Sequence, residues 1–373
     1  MKILIAGDYC PGNRVADLIE YGDFEQVFGE VKPIIESADY SIVNFETCIA
    51  SESDNPISKI GPNLKCTNKA VDAIKWAGFK CLTLANNHFR DYGDVGVVNS
   101  LKKIDLSGLD KVGGGMNLEE ASSILYRIIE GRTLAIINAC EHEFSIATDN
   151  QAGSNPLNPI RQYYGIEEAR KKADFVIAII HGGHEHCQLP SPLMQETYRF
   201  FIDAGADAVV NHHQHCYSGY EFYNGKPIFY GLGNFCFDEG KGNPDFWYEG
   251  LMLNLELGEE IKIDLVPYVQ CKDNPAVSLM QGEEKEQFFA RIEKLNTIIA
   301  NPKELQKHHD EWMDKNDGGV RLLFTPYQNR WLNAAFTRHL LPSFFSCGKR
   351  LFFIDSIDCE SHRERVLRWL KSK

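Results

Sequence analysis

Short apolar runs, each closed by a polar residue, recur along the first two thirds of the chain. Lys2–Ala6 ends at Gly7-Asp8, Tyr40–Asn44 leads to Phe45-Glu46, and Lys80–Ala85 ends at Asn86-Asn87-His88. Phe175–Ile180 feeds His181, and Ala208–Val210 feeds Asn211-His212-His213-Gln214-His215. Runs this short and this apolar suit strands buried on both faces. Helical spacing falls between them. Phe24, Val27, Phe28 and Val31 share one face of a helix expected over Phe24–Ser37. Asn68–Ala77 has Thr67 to cap it and Gly78 to end it, and Phe89–Gly93 turns into a helix to about Lys103. Glu167–Ala173 is helical, and Ser191-Pro192 starts a helix to Ala204. Hairpins are expected for Ile124–Ile129 with Thr133–Asn138, for Glu221–Tyr230 around Asn224-Gly225, and for Gly250–Leu257 with Ile261–Val269. Cys10–Arg14 and Gly113–Gly115 read as turns, and Asp149–Tyr164 as a surface loop.

After about Met280 the texture changes. Gln287–Ile299, Lys303–Met313, Gln328–Leu341 and Arg363–Leu370 have amphipathic helical spacing. The pattern therefore predicts an α/β protein with sheets flanked by helices over residues 1–275 and a helical extension over 276–373. That extension would serve as a lid, as a surface on which two copies associate, or as a binding platform.

Charge sharpens this division. The formal net charge is −13. Residues 281–373 hold 16 basic and 13 acidic side chains, which leaves 23 against 39 in the rest. An acidic main body argues against general nucleic-acid binding. The opening apolar run is five residues long, too short for a signal-peptide core, and no run approaches the ~18 residues of a membrane span. The 11 cysteines stand singly, without a Cys-x-x-Cys, as reduced thiols in a cytoplasmic setting would.

The chemistry gathers at the strand ends. Six of the 12 histidines lie between His181 and His215. In open α/β sheets, ligands bind outside the carboxyl ends of strands. His213 and His215, at i and i+2, would share a face if extended. Neutral imidazole is a common metal ligand, whereas a lone histidine at a strand end is more often a cap. Asp8, Glu46, Asn87 with His88, His181, and His213 with His215 together form a mixed oxygen and nitrogen set. Such a set suits Mn²⁺, Fe or Zn²⁺ and is large enough for two divalent ions sharing a carboxylate. His142, His308, His309, His339 and His362 read as surface or packing residues. His184, His186 and His212 lie beside the set.

In their order, these motifs resemble the bacterial capsule-synthesis CapA (poly-γ-glutamate capsule) family, a branch of the calcineurin-like metallophosphoesterases. The matching pieces are Gly7-Asp8, Asn44-Phe45-Glu46, Ala85-Asn86-Asn87-His88 with Asp91-Tyr92-Gly93, and His181-Gly-Gly with Glu185. Gly205-Ala-Asp207, His212-His213-Gln-His215, and Gly225-Lys-Pro-Ile-Phe-Tyr leading to Leu232-Gly-Asn234-Phe235 complete the series, which covers residues 1 to about 270. The resemblance implies a four-layer α-β-β-α sandwich. It implies hydrolysis of a phosphorylated small molecule or polymer by a hydroxide that two metals activate. Asp8 and His215 would hold the first metal and Glu46 would bridge. Asn87, His181 and His213 would hold the second. His88, oriented by Asp91, would act beside the substrate. Cys10, Arg14, Glu185, His212 and Asn234 would support these ligands or the substrate.

The chain departs from the pattern at Cys10, where the wider superfamily has histidine. Cys10 is then either a thiolate ligand or a buried thiol. Arg14 stands one place late, and Asn211 and Gln214 replace the usual Gly and Pro. Two other functions stay open: a metal-stabilised accessory factor in polymer assembly that hydrolyses nothing, and metal-dependent hydrolysis of an amide or glycosidic bond.

Overall fold

The computed structural model describes residues 1–239, 242–316, 327, 329–342 and 346–371. It resolves into two compact units, Met1–Gln306 and Lys307–Lys373.

The first unit is built on two large sheets. One contains β1 (Lys2–Cys10), β2 (Tyr40–Phe45), β3 (Cys81–Thr83) and β4 (Asp110–Val112), all parallel. The small pair β5 (Gly114–Gly115) and β8 (Gly153–Ser154) stands apart from both. The second sheet contains β6 (Leu125–Ile129), β7 (Arg132–Cys140), β9 (Phe175–His181), β10 (Ala208–His212), β11 (Tyr220–Tyr223) and β12 (Lys226–Phe229), in the order β11-β12-β10-β9-β7-β6. Its four central strands are parallel. The first sheet is extended by β13 (Asn234–Phe237), β14 (Glu249–Glu256), β15 (Lys262–Gln270) and β16 (Val277–Leu279).

Period-two alternation sorts the core into layers. On β1, Ile3 and Ile5 meet Ile136, Ile177, Ile179 and Val210 between the sheets. Leu4 and Ala6 face the other way, onto Val15, Phe28, Val71, Ile74 and Val97 of the flanking helices. Beyond the second sheet, Ala178 and Ile180 pack on Ile166, Tyr198 and Phe201. The result is the expected α-β-β-α sandwich. Cutting a fully buried isoleucine such as Ile177 to alanine would cost ~2–5 kcal/mol.

The hairpin turns fall where expected. Glu130-Gly131 and Asn224-Gly225 each put two successive residues in the left-handed region, as a two-residue turn needs. Three expectations change. The helix over 24–37 is two short ones, Phe24–Phe28 and Lys32–Glu36, because Pro33 has no N–H to continue the ladder. The segment 149–164 is not a free loop: residues 152–156 are buried, and a helix already starts at Pro159, capped by Asn158. The turn expected over Cys10–Arg14 shrinks to Pro11-Gly12, between β1, which runs on to Cys10, and a helix over Asn13–Tyr21.

The expected boundary at 275/276 falls inside the first unit. The helix Gly282–Ile299 places Phe288 and Ile292 in the core between the sheets, and Arg291 binds Glu249. The second unit includes the helices Arg330–Thr337, Cys347–Asp358 and Glu360–Lys371. Gln328, where one helix was expected to begin, lies outside the described residues. No described helix is long and apolar enough to cross a membrane.

Candidate metal centre

Asp8 reaches the site because the residue before it has no side chain. A Cβ on Gly7 would sit 1.8 Å from the Gly233 carbonyl oxygen. The register of β1 against β2 slips between Ala6 and Asp8, and the Asp8 N–H donates to Gly233 at 3.2 Å. Its carboxylate then accepts from Asn44 Nδ2 at 2.7 Å and from the His213 N–H at 3.2 Å. Burial raises the Asp8 carboxyl above its usual range, while His215 and Asn44 pull it back down.

Glu46 follows β2 and is fully buried. Neither of its carboxylate oxygens has a hydrogen-bond partner. A buried carboxylate without compensation costs ~3–5 kcal/mol, so proteins supply a cation or a proton. Burial pushes the Glu46 carboxyl well up, with Asp8, Glu185 and Glu143 adding to it. Around its oxygens stand imidazoles: His181 Nε2 and His215 Nε2 each lie 3.6 Å from Oε1.

Two sets of three ligand atoms, each set within 4.8 Å, result: Glu46 with His181 and His213, and Asp8 with Glu46 and His215. Glu46 belongs to both, as a bridging carboxylate must. Asn87 joins the first set, its Oδ1 lying 3.0 Å from His181 Nε2. His213 and His215 do not share a strand face. β10 stops at His212, and both residues adopt the left-handed region, φ 95° and 53°, uncommon for residues other than glycine. That turn, not strand alternation, sends one ring to each set.

The imidazoles are kept neutral. Burial depresses His181 far below its ordinary value, His213 to about 3 and His215 to about 4. Asn234 fixes the His215 ring. Its amide nitrogen points at the His215 and Trp247 carbonyls, so its Oδ1 faces His215 Nδ1 at 2.9 Å and takes that proton. The Nε2 lone pair is left toward Glu46, 3.6 Å away. A neutral, oriented imidazole beside an orphaned carboxylate fits a divalent cation.

Next to the sets lies a proton-handling group. His88 Nδ1 is 2.6 Å from Asp91 Oδ2, and Asp91 also binds Lys59 and the Leu64 N–H. His88 acts electrostatically on Glu143, His213 and His215.

The remaining predicted residues scatter. Cys10 lies in neither set. It packs with Phe237, Trp247 and Tyr248, and burial holds its thiol well above the ordinary range. Arg14 clamps Asp238 through Nε and Nη2 and bonds the Cys271 carbonyl. His212 is buried, its Nε2 against the Ala6 carbonyl at 3.1 Å. Glu185 is exposed and contributes negative charge near Glu46. Sequence reasoning missed the roles of Asn44, Lys59 and Glu143. Asn44 ties Asp8 to His181 through one amide. It lies within a motif already quoted, but nothing in sequence flagged Lys59 or Glu143.

A four-layer sandwich with carboxylates and imidazoles converging above its strands defines a protein with a candidate dinuclear metal centre. Residues 2–239 match the family described as bacterial capsule synthesis protein PGA_cap, and the chain belongs to that family. It is 34% identical over 248 residues, 64% of its length, to the capsule biosynthesis protein CapA of Bacillus anthracis. It is 34% identical over 237 residues, 63% of its length, to the PGA biosynthesis protein CapA of Bacillus subtilis. These matches span 60% and 62% of the two relatives' own lengths. Among solved structures, a phosphatase from Mycoplasma pneumoniae is similar at TM-score 0.44 and 15% identity, covering 78% of this chain and 98% of that one. A likeness so distant says nothing of chemistry.

Proposed function

We propose that the chain is a divalent-metal phosphoester hydrolase serving capsule or poly-γ-glutamate synthesis in the cytoplasm. The observation that carries this reading is Glu46: buried, shared by both ligand sets, and without a partner for either oxygen. Asp8, Glu46 and His215 would hold one ion, and Glu46, Asn87, His181 and His213 the other, with Mn, Fe or Zn as the metal. Bound there, such ions supply Lewis acidity to a phosphoryl group and acidify water.

The chain's own residues do the rest. Asn44 and Asn234 set the rotamers of Asp8 and His215 before any ion arrives. Asp91 accepts a hydrogen bond from the Nδ1–H of His88 and so favours the doubly protonated ring, whose Nε2–H would pass its proton to the leaving oxygen and return to the neutral form. Lys59 pairs with Asp91 and holds it in place.

The test is turnover by protein purified with Mn²⁺, on aryl phosphates, sugar phosphates and nucleotides. Hydrolysis of at least one is expected. No turnover on any of them, with ions demonstrably bound, contradicts the proposal and favours an accessory role without hydrolysis.

A further inference from the structure

Glu143 sits in the segment that follows β7, and no motif marks it. Three contacts place this segment against the candidate centre. The Glu141 N–H donates to the His181 carbonyl at 3.0 Å. Ser145 Oγ donates to the Asn87 carbonyl at 2.6 Å, and the Arg90 N–H donates back to Ser145 Oγ at 3.1 Å. The segment is thereby latched to the chain that carries Asn87 and His88.

Between these latches the Glu143 carboxylate meets two of the candidate ligands at once. Its Oε2 accepts from Asn87 Nδ2 at 3.4 Å. Its Oε1 lies 3.6 Å from His213 Nε2. Each contact occupies the end of a ligand that faces away from the ion set. With the Asn87 amide nitrogen held by Glu143, the amide oxygen stands at 3.0 Å from His181 Nε2. With His213 Nε2 toward Glu143, Nδ1 stands at 3.1 Å from that same His181 nitrogen. Asn87 Oδ1, His213 Nδ1 and His181 Nε2 thus converge, and His181 Nε2 lies 3.6 Å from Glu46 Oε1.

We infer that Glu143 is a positioning residue for one half of the centre: its single carboxylate sets the amide orientation of Asn87 and the tautomer of His213, and so prepares the second ion position alone. The first position has its own equivalent, Asn234 on His215, so its imidazole is oriented without Glu143. A carboxylate behind a ligating imidazole fixes the ring and raises its basicity, and its loss typically costs 10–100-fold in metal affinity. The inference rests on the metal reading above.

The experiment is calorimetric titration of Mn²⁺ into the chelator-stripped full chain, comparing wild type with Glu143→Gln and Glu143→Asp, and with circular dichroism to confirm the fold. Wild type is expected to take up two ions. In Glu143→Gln one ion should bind as before and the other 10–100-fold more weakly, with Glu143→Asp recovering part of the loss. Two ions bound to Glu143→Gln with unchanged affinity would overturn the inference and leave the metal reading standing, as would equal weakening of both ions. Wild type that binds no Mn²⁺ overturns both. A structural role alone would lower the melting temperature without splitting the two binding steps.

Discussion

Two buried carboxylates of the first unit, Asp238 and Glu46, are treated in opposite ways. Asp238 is 2% exposed and receives Arg14 through two nitrogens and the Arg14 N–H besides. Glu46 is 0% exposed and receives no cation and no N–H, only the neighbouring Asp8 carboxyl, with which it can share a proton. Asp91 falls with Asp238: fully buried, it is answered by Lys59, His88 and the Leu64 N–H. The difference separates a carboxylate that closes the fold from one kept for a ligand. Where the chain can supply a cation it does so, and at Glu46 it supplies the neutral imidazoles of His181 and His215 instead. Neutral rings around a carboxylate that no cation answers fit an incoming positive charge.

The largest effect that would break this comparison is expected at Glu46. Glu46→Gln should lower the metal content from about two ions per chain to below one and abolish turnover. In chelator its sign reverses: removing the uncompensated carboxyl should stabilise the metal-free protein by about 1–3 kcal/mol at pH 8, read from urea midpoints. A variant less stable than wild type in chelator would place Glu46 with Asp238. Next is His88→Ala, which should keep both ions and lose about 10²–10⁴-fold in kcat. Loss of metal along with activity would make His88 a ligand instead.

Asp238→Asn should behave as a purely structural change. Arg14 is one-third exposed, so the loss is discounted from that of a fully buried pair to about 1–3 kcal/mol, with metal content unchanged. The smallest effect is on pH. In the metal-free fold His213 and His215 take up protons only near about 3 and about 4. The unfolded chain takes them up near ~6.5. Between those values the unfolded chain binds more protons at these rings, so the two rings lower stability as pH drops from ~6.5 toward ~4, while the raised Asp8 and Glu46 carboxyls act in the opposite sense. Urea midpoints in chelator at pH 7 and pH 5, compared between wild type and His213→Asn, check this: the variant should lose less stability at pH 5 than wild type, and equal losses would show the ring to be solvated.

Much of this was legible because the ligands follow strands. Asp8, Glu46, Asn87, His181, His213 and His215 each stand after an apolar run, and parallel strands bring such ends to one edge. The layers were legible for the same reason: Ile3 and Ile5 alternate with Leu4 and Ala6. What stayed hidden depends on contacts far apart in sequence. Lys59 sits in a polar stretch and gains its meaning only from Asp91, 32 residues on. Glu143 gains its own from Asn87 and His213. The left-handed turn at His213 and His215 could not be read from a run that looks like a strand. Pro33 did carry the signal that breaks the helix over 24–37, and the apolar face of Phe24, Val27, Phe28 and Val31 masked it.

The most direct test of the centre is elemental analysis of the full chain purified without chelator, alongside Glu46→Gln prepared the same way. About two divalent ions per wild-type chain, and fewer than one in the variant, are predicted. Wild type free of transition metal after exposure to Mn²⁺, Fe²⁺ and Zn²⁺, or a variant that keeps its full complement, would contradict the account.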